Sequence, residues 1–259
     1  MPVEPLPAAT LLLLRDGADG CEVVMLERHR DAFFPGALVF PGGRVDEADC
    51  ERVMLARCRK VAGIGAAAMA FRMAAIRETY EEAGILLARR RGEDRLIAAA
   101  ELRELERRIG KCLGRALHFA DLVASREIEL ATDCLVAFAH WVTPERSAKR
   151  YDTLFFLARA PDDQVPRPDG REAIDAVWIA PEAALADADA KRRRLIFATR
   201  MNLMRLQRGG DVAAALAATH AIVRICPEMY ETPEGTRIRI PEGLGYDVFD
   251  MPTPDTRHG

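Results

Sequence analysis

The residues best suited to chemistry in this sequence lie between Arg77 and Ile85. Three carboxylates, Glu78, Glu81 and Glu82, fall within little more than one turn if the segment is helical. Several carboxylate oxygens that converge on one point make a site for a hard divalent cation such as Mg²⁺. An acidic cluster is also typical of a solvated helix surface, so a second feature has to decide between these two interpretations.

A helix must position these carboxylates. Apolar residues recur every three or four positions over the same stretch, on the side opposite the glutamates: Met69, Met73, Ile76, Tyr80, Ala83 and Leu87. This spacing predicts an amphipathic helix from about Ala66 to Ala83. Gly84 follows directly and is typical of a helix C-cap. The glutamates would then lie on the face that the apolar stripe leaves open.

A glycine loop upstream is the second feature. Ala37 to Phe40 reads as a short strand, and Pro41, Gly42 and Gly43 end it. Because glycine has no Cβ, the backbone of such a loop can approach a ligand closely. A Pro-Gly-Gly sequence alone indicates only a turn. Combined with the glutamate helix, it indicates one ligand site formed by both segments.

Together these segments resemble the Nudix box, G-x5-E-x7-R-E-U-x-E-E-x-G-U, in which U is aliphatic. The matching residues are Gly43, Arg77, Glu78, Glu81, Glu82, Gly84 and Ile85. Three departures stand out: Asp49 where the family has glutamate, a long insertion between Asp49 and Arg77 where the family has seven residues, and Thr79 at a usually aliphatic position. An interrupted box of this kind is similar to the peroxisomal coenzyme A diphosphatases and their bacterial relatives. The segments Phe34–Gly43, Glu78–Leu87, Trp141–Pro144 and Arg150–Phe156 resemble that branch as well.

The resemblance implies a metal-dependent hydrolase that uses Mg²⁺ or Mn²⁺, with a role for each matched residue. Glu81 and Glu82 correspond to the principal metal ligands, and Glu78 to a further ligand or a water-orienting carboxylate. Gly42 would offer its backbone carbonyl to the metal. Arg77 would hold the glutamates through charge-assisted hydrogen bonds.

Two further carboxylates are candidates for the same site. Asp49 is a metal ligand in one interpretation and a surface loop residue in the other, since it is one methylene shorter than the expected glutamate. A carboxylate from outside the box often completes such sites as ligand or base. Glu172, just ahead of a predicted strand at Ala173–Ile179, is the first candidate; its rivals are Asp152, Asp169 and Asp175.

The substrate is where the sequence leaves alternatives open. We expect Arg28, Arg30, Gly42 and Gly43 to bind substrate. Arg28 and Gly36 can take the outer positions of the coenzyme A motif of shorter Nudix diphosphatases, but the interval is one residue short and only Arg30 lies near the second arginine's position. The branch implies cleavage of coenzyme A or acyl-CoA to 3′,5′-ADP and phosphopantetheine. ADP-ribose or NADH, and a non-catalytic nucleotide-sensing Nudix domain, are the alternatives.

Other side chains leave their roles open as well. The basic clusters Arg89–Arg91 and Lys191–Arg194 are solvated surfaces or contacts to substrate phosphates. Four aromatic residues pack in the core or stack on an adenine: Trp141, Tyr151, Phe155 and Phe156.

The amino-acid composition argues against several classes of partner and site. The chain has 259 residues, 49% of them hydrophobic, and a formal net charge of −3, which gives no electrostatic case for nucleic acid. Six scattered cysteines lack the spacing of a zinc site or a disulfide framework. The run Leu11–Leu14 is too short for a membrane span. We therefore expect a cytoplasmic protein that binds a small nucleotide diphosphate, with a homodimer left open.

The pattern of elements predicts an α/β fold, which under the resemblance is a Nudix α/β/α sandwich with a mixed sheet. We expect one domain over residues 1–259, with helical insertions at about 50–65 and 93–130 and a C-terminal extension at about 190–259. Predicted strands cover residues 8–14, 22–27, 37–40, 85–88, 134–142, 153–158 and 173–179. Predicted helices cover 50–61, 66–83, 93–124, 195–207 and 212–221, with another starting at 181 and a hairpin around 236–240.

Overall fold

A computed structural model describes residues 3–18, 20–29, 35–114, 117–218 and 221–253 of the chain. Its strands are β1 (Leu6–Gly17), β2 (Gly20–Arg28), β3 (Leu38–Val39), β4 (Gly42–Arg44), β5 (Ala88–Arg90), β6 (Ile128–Leu130), β7 (Val136–Val142), β8 (Tyr151–Arg159), β9 (Ala173–Ile179), β10 (Arg224–Ile225), β11 (Glu228–Thr232), β12 (Gly235–Arg239) and β13 (Asp250–Pro252). Its α-helices are α1 (Arg52–Leu55), α2 (Ala66–Ala83), α3 (Ala99–Leu113), α4 (Phe119–Ala124), α5 (Pro181–Asp189), α6 (Phe197–Leu206) and α7 (Val212–Ala217).

Strand β1 organises the main sheet, whose order is β10-β7-β8-β1-β2-β3, with β4 paired to β1 and β9 paired to β2. Along one edge β1 runs parallel to β8, from the pair Leu6–Tyr151 to the pair Leu14–Arg159. Along its other edge, the first half of β1 pairs with β4 and the second half with β2, both antiparallel. The sheet is therefore mixed, as predicted.

Alternating side chains of β1 enter two cores, because successive residues of a strand point to opposite faces. Leu11 and Leu13 pack in the core that contains α2, α3 and α4. Leu12 and Leu14 pack in the core that contains α5, α6 and α7. All four are fully buried, and burial of each leucine contributes about 1.5–3 kcal/mol. The α/β/α sandwich is confirmed, and the Leu11–Leu14 run belongs to its central strand.

Helix α2 has the predicted bounds. Gly84 ends it in a left-handed conformation, with φ 66°, and its N–H donates to the carbonyl of Tyr80. Thr79, at the usually aliphatic position, is fully buried, and its hydroxyl donates to the Ala75 carbonyl at 2.7 Å. The polar atom is therefore satisfied inside the helix, and the methyl group can pack.

Two local predictions are wrong in detail. The predicted helix over 50–61 reduces to a 3-10 turn at Glu47–Cys50 and the four-residue α1. Beyond it, Arg59 donates to the Leu130 carbonyl and Leu130 to that of Arg57, so pairing with β6 overrides helix propensity. The predicted strand over 85–88 lies at β5 instead. The predicted helical stretch over 93–124 contains two helices, α3 and α4, and Gly114 ends the first at φ 64°.

The C-terminal extension adds α6 and α7, places β10 beside β7 and ends in the sheet β11-β12-β13. The predicted hairpin around 236–240 corresponds to β11 and β12, which turn at the pair Thr232–Gly235. No helix in the described ranges combines the length and the apolar composition needed to cross a membrane.

Candidate active site

One face of the main sheet forms the floor of a cleft of about 800 Å³. Thr153 on β8 pairs with Trp141 on β7 and with Ala8 on β1, and Ala8 pairs with Arg44 on β4. Directly opposed residues share a face of the sheet, which is why all four line the cleft. The register of β1 thus brings the end of the glycine loop next to strands from distant parts of the sequence.

The glycine loop lies directly against α2. The N–H of Gly42 donates to Glu82 Oε2 at 2.9 Å. A Cβ added at Gly43 would lie 2.6 Å from the carboxyl carbon of Glu78. Only a residue without a side chain allows this approach. The paired glycines therefore bring the loop backbone onto the two glutamates.

Arg77 links the glutamate helix to the loop. Its Nη1 donates to Glu78 Oε1 and to Glu81 Oε2, both at 2.9 Å. Its Nη2 donates to the Arg44 carbonyl at 2.8 Å. One guanidinium therefore fixes two of the three glutamates, while Gly42 holds the third.

Asp49 is placed behind the site. The side chain is 1% exposed, and its oxygens accept hydrogen bonds from Arg77 Nε at 2.9 Å and Nη2 at 2.8 Å. Oδ2 also accepts from the N–H of Asp46. Asp49 does not line the cleft. These contacts indicate that Asp49 orients Arg77. That Asp49 is a metal ligand stays a prediction.

The buried glutamates repel one another. Burial raises the pKa of Glu78 to about 7, in spite of the neighbouring Arg77 guanidinium. Burial raises the pKa of Glu82 to about 8; the Gly42 hydrogen bond opposes this rise and the charges of Glu78 and Glu172 add to it. Three carboxylates therefore share one electrostatic environment in which a positive charge is needed.

The remaining carboxylate oxygens fit a divalent cation. Over the described residues, Glu78 Oε2, Glu81 Oε1 and Glu82 Oε1 accept no hydrogen bond, so each glutamate keeps one oxygen for a ligand role. The described part of the chain contains no group of three or more acidic, histidine or cysteine side chains already close enough to hold a metal ion. The three free glutamate oxygens are nevertheless hard donors of the kind that Mg²⁺ and Mn²⁺ prefer, and a bound cation would relieve the repulsion between the carboxylates.

Glu172 reaches the same cleft from β9's leading end. It lines the cleft together with Glu78, and its charge contributes to the raised pKa values of Glu78 and Glu82. Its Oε2 lies 3.6 Å from Arg28 Nη2.

The three rivals of Glu172 are occupied elsewhere. Asp152 binds His140 and Arg224, Asp169 accepts from backbone N–H groups of its own turn, and Asp175 accepts from the N–H of Ala176. None of them lines the cleft. The position of Glu172 therefore supports its selection, and its catalytic role stays a prediction.

Of the two arginines expected to bind substrate, Arg28 lines the cleft. Its Nε is buried and has no hydrogen-bond partner in the described part of the chain. Arg30 lies outside the described residues, as does Phe34 at the start of the resembling loop segment. The placement of Arg28 agrees with a contact to an anionic substrate.

Several cleft residues were not singled out from the sequence. Arg44, Lys149 and Arg171 line the cleft beside Arg28 and Arg194. Arg44 follows the glycine loop directly, a signal that could have been used; Lys149 and Arg171 reach the cleft only through strand pairing, which local sequence does not reveal.

The two basic clusters differ in their position relative to the cleft. In the Arg89–Arg91 cluster, Arg89 pairs with Asp133 and Arg90 with Glu127, away from the cleft. Of the cluster at Lys191–Arg194, Arg194 is the member that lines it.

The aromatic candidates also divide. Trp141 is buried, and its Nε1 donates to Asn202 Oδ1 at 3.1 Å, so it packs in the floor. Phe156 is buried in the core beneath α2, on the far face of the sheet. Tyr151 is half-buried and lines the cleft. Phe155 lines the cleft but is buried. Among these four, Tyr151 is therefore the ring best exposed for stacking on a base.

Comparison with known proteins places these features in a family context. A family model described as the NUDT19 Nudix domain matches residues 53–200, which include the glutamate helix. The acyl-coenzyme A diphosphatase NUDT19 of Gallus gallus is 30% identical over 214 residues, 63% of this chain and 55% of that protein. The human protein of the same name is 28% identical over 207 residues, 64% of this chain and 55% of its own. The chain thus spans about half the length of these curated relatives.

A solved structure is similar over most of this chain. The crystal structure of a NUDIX hydrolase from Alicyclobacillus acidocaldarius superposes with a TM-score of 0.67 at 29% sequence identity. The superposition covers 83% of this chain and 97% of that one. The similarity therefore extends beyond the residues that the family model matches.

Proposed function

The chain belongs to the Nudix hydrolase family, in the branch of the NUDT19 Nudix domain, and on that premise we propose that it hydrolyses the diphosphate of coenzyme A or an acyl-CoA. Membership confirms the resemblance drawn from Gly43 and the Arg77–Ile85 segment. In the proposed reaction, water adds to one phosphorus and the bond from that phosphorus to the bridging oxygen breaks. The products are 3′,5′-ADP and phosphopantetheine or its acyl form.

The observation that carries the proposal is the contact between the glycine loop and α2. Gly42 holds Glu82, Arg77 holds Glu78 and Glu81, and each glutamate keeps one oxygen without a hydrogen bond in the described structure. A divalent cation bound by those oxygens would neutralise phosphate charge and make a water molecule more acidic. The protein's part is to hold the carboxylates in place before substrate arrives, which lowers the reorganisation needed during the reaction.

Glu172, directly before β9, also supports the proposal. It is the cleft carboxylate that α2 does not supply and that Arg28 contacts, and it lies close enough to the glutamates to affect their pKa values. We assign it the acceptance of a proton from the attacking water, or orientation of that water. Arg28 would orient Glu172 and contact the substrate phosphates.

The charge of the cleft supports a polyanionic substrate. Five basic residues of the described chain line it, Arg28, Arg44, Lys149, Arg171 and Arg194, against three acidic ones, Asp46, Glu78 and Glu172. Glu81 and Glu82 of the glutamate helix are not among the lining residues, and a bound divalent cation would offset their charge. Its volume of about 800 Å³ suits a ligand of nucleotide size. Coenzyme A carries a 3′-phosphate that ADP-ribose and NADH lack, so an excess of cations favours coenzyme A over those alternatives.

The test compares coenzyme A, an acyl-CoA, dephospho-coenzyme A, ADP-ribose and NADH under one set of Mg²⁺ or Mn²⁺ conditions. We expect the highest kcat/KM for coenzyme A or the acyl-CoA, and formation of 3′,5′-ADP by chromatography. Excess chelator should abolish turnover, and added metal should restore it. A tenfold preference for ADP-ribose or NADH would contradict the substrate assignment, and full activity in chelator would contradict the metal-dependent mechanism.

A further inference from the structure

The amino-terminal end of α6 lies in the cleft beside the glycine loop. Ala37 and Arg194 form a parallel bridge, and the N–H of Leu38 donates to the Arg194 carbonyl at 2.8 Å. The chain from Arg194 onward therefore runs alongside the strand that leads into Gly42. The first residues of α6, together with Ile196 before them, line the cleft: Phe197, Ala198 and Thr199.

This helix end has no cap of its own. The N-cap residue is Ile196, which has no polar side chain, and the first bond of the helix runs from Arg200 N–H to the Ile196 carbonyl. The N–H groups of Phe197, Ala198 and Thr199 have no acceptor among the described residues. Free N–H groups at the positive end of a helix dipole attract anions.

Thr199 is an independent sign of a ligand. It is 2% exposed and lines the cleft, yet its hydroxyl has no hydrogen-bond partner in the described structure. Two other buried threonines are satisfied, since Thr79 donates to the Ala75 carbonyl and Thr132 to the Arg59 carbonyl. The hydroxyl oxygen of Thr199 is not among the fully buried side-chain atoms that lack a partner in the described structure, so it is accessible from the cleft and can donate to a ligand there.

Arg194 adds a positive charge at the same place. Within the described ranges it has no carboxylate in ion-pair distance, although it lines the cleft. Its neighbours Arg192 and Arg193 both pair with Asp187. The cluster is therefore divided: two arginines form surface ion pairs, and the third faces the cleft.

We propose that Arg194, the hydroxyl of Thr199 and the free N–H groups at the start of α6 form a subsite for a phosphoryl group of the substrate. The subsite rests on the proposed function and specifies how the cleft recognises a phosphorylated nucleotide. The phosphoryl group has two sources, the 3′-phosphate of coenzyme A or the 5′-phosphate of its diphosphate. The non-bridging oxygens of a phosphoryl group can accept from all three kinds of donor at once.

A binding experiment tests the subsite without turnover. The 259-residue chain, its Thr199→Val and Arg194→Gln variants and the control Arg192→Gln are titrated with 3′,5′-ADP and with AMP in chelator, by calorimetry. We expect the Kd for 3′,5′-ADP to rise about tenfold in Arg194→Gln and several-fold in Thr199→Val, and to stay unchanged in the control. Circular dichroism and Tm verify that each variant is folded.

The two sources give different patterns. If the 3′-phosphate occupies the subsite, AMP binding is unchanged by either variant and kcat/KM falls for coenzyme A but not for dephospho-coenzyme A. If the 5′-phosphate occupies it, AMP binding weakens too and both substrates lose equally. Unchanged binding of both nucleotides in folded Thr199→Val and Arg194→Gln overturns the subsite. Weakened binding by a protein that hydrolyses no coenzyme A leaves the subsite standing and refutes the proposed function.

Discussion

The backbone N–H of Gly42 donates a hydrogen bond to Glu82 Oε2 across 2.9 Å, which joins two segments forty residues apart in the sequence. The carboxylate is 5% exposed, so this amide is a large part of what stabilises its charge. The same contact fixes one Glu82 oxygen and leaves the other for a ligand. The loop and the helix are therefore one unit, and a change in either should affect both.

The two loop glycines should respond differently to alanine. At Gly42 a Cβ would meet the backbone carbonyl of Ala9 at 2.6 Å, so the strands must separate and Tm should fall by several degrees. At Gly43 a Cβ would meet only the end of the Glu78 side chain, which can move. Gly43→Ala should therefore keep most of its stability and lose turnover about tenfold or more, since Glu78 is displaced.

Gly65→Ala is the matched control, because nothing lies within 4 Å of its added Cβ and its φ of −76° suits any residue. We expect unchanged turnover and only a small change in Tm, because the lower unfolded-state entropy of alanine opposes the loss of glycine at the N-cap of α2. Thermal melts and initial rates of the three variants separate the effects on stability from those on turnover. If Gly43→Ala retained full turnover, close packing of the loop on Glu78 would have no catalytic importance.

Glu82→Gln should separate catalysis from stability. Glutamine still accepts the Gly42 N–H but cannot act as a charged ligand, so turnover should fall at least about 100-fold, the upper range for loss of an outer-shell partner. Because burial raises the pKa of Glu82 to about 8, the metal-free protein already holds this group largely protonated at pH 7. Tm at pH 7 should therefore hold or rise.

Two companion variants complete that test. Glu81→Gln, at a position whose side chain is 44% exposed and held by Arg77, should also lose turnover with little change in Tm. Glu104→Gln, an exposed partner of Arg107 on α3, should change neither quantity. Unfolding of Glu82→Gln with normal turnover in its folded fraction would show that the glutamates are structural.

Much of this site could be predicted from sequence because its signals are local. Glu78, Glu81 and Glu82 lie on one helix, and the two glycines follow one strand. Their spacing in the sequence therefore determines their relative positions in the fold. Lys149 and Thr199 could not be predicted, since only the pairing of β8 with β1 and the packing of α6 bring them to the cleft. The short length of α1 could not be predicted for a related reason. Long-range hydrogen bonds to β6 replace the longer helix that the local pattern favours.

Asp49 offers a test of ligand against positioning residue. It is nearly inaccessible and makes two hydrogen bonds to Arg77, so Asp49→Ala leaves a buried guanidinium without its main partner. We expect a loss of about 3–5 kcal/mol in the free energy of unfolding. Asp49→Asn retains an acceptor and should cost less.

The affinity for Mn²⁺ distinguishes the two roles of Asp49. If it only positions Arg77, Asp49→Asn should weaken Mn²⁺ binding by no more than about 10–100-fold, as expected of an outer-shell residue. Denaturant unfolding and Mn²⁺ titration by electron paramagnetic resonance give both quantities, with Glu82→Gln as the reference for loss of a ligand. Normal stability combined with abolished Mn²⁺ binding would make Asp49 a ligand instead.

The stability of the metal-free protein should fall as pH rises from 6 to 8.5. Burial raises the pKa of Glu78 to about 7 and that of Glu82 to about 8 from an ordinary value of 4.5. Between these values the folded state binds more protons than the unfolded state, so stability is fully present below about pH 4.5 and is lost through pH 7 and 8. Glu101, whose bond to Arg95 lowers its pKa to about 2, acts only below this window.

Thermal melts in chelator at half-unit pH steps measure this loss, and each kcal/mol should lower Tm by about 2–4 °C. The series stops at pH 8.5 because burial raises the pKa of the Cys21 thiol to about 11, which adds a similar trend above pH 9. Glu82→Gln should have a flatter profile, since one of the two groups no longer titrates, whereas Glu104→Gln should follow the unmodified protein. Saturating Mn²⁺ should remove the decline, because the ion binds the deprotonated carboxylates and its apparent affinity increases with pH. A Tm that is constant or rising over this range in the metal-free protein, or an equal slope in Glu82→Gln, would show that these glutamates are already charged at pH 6.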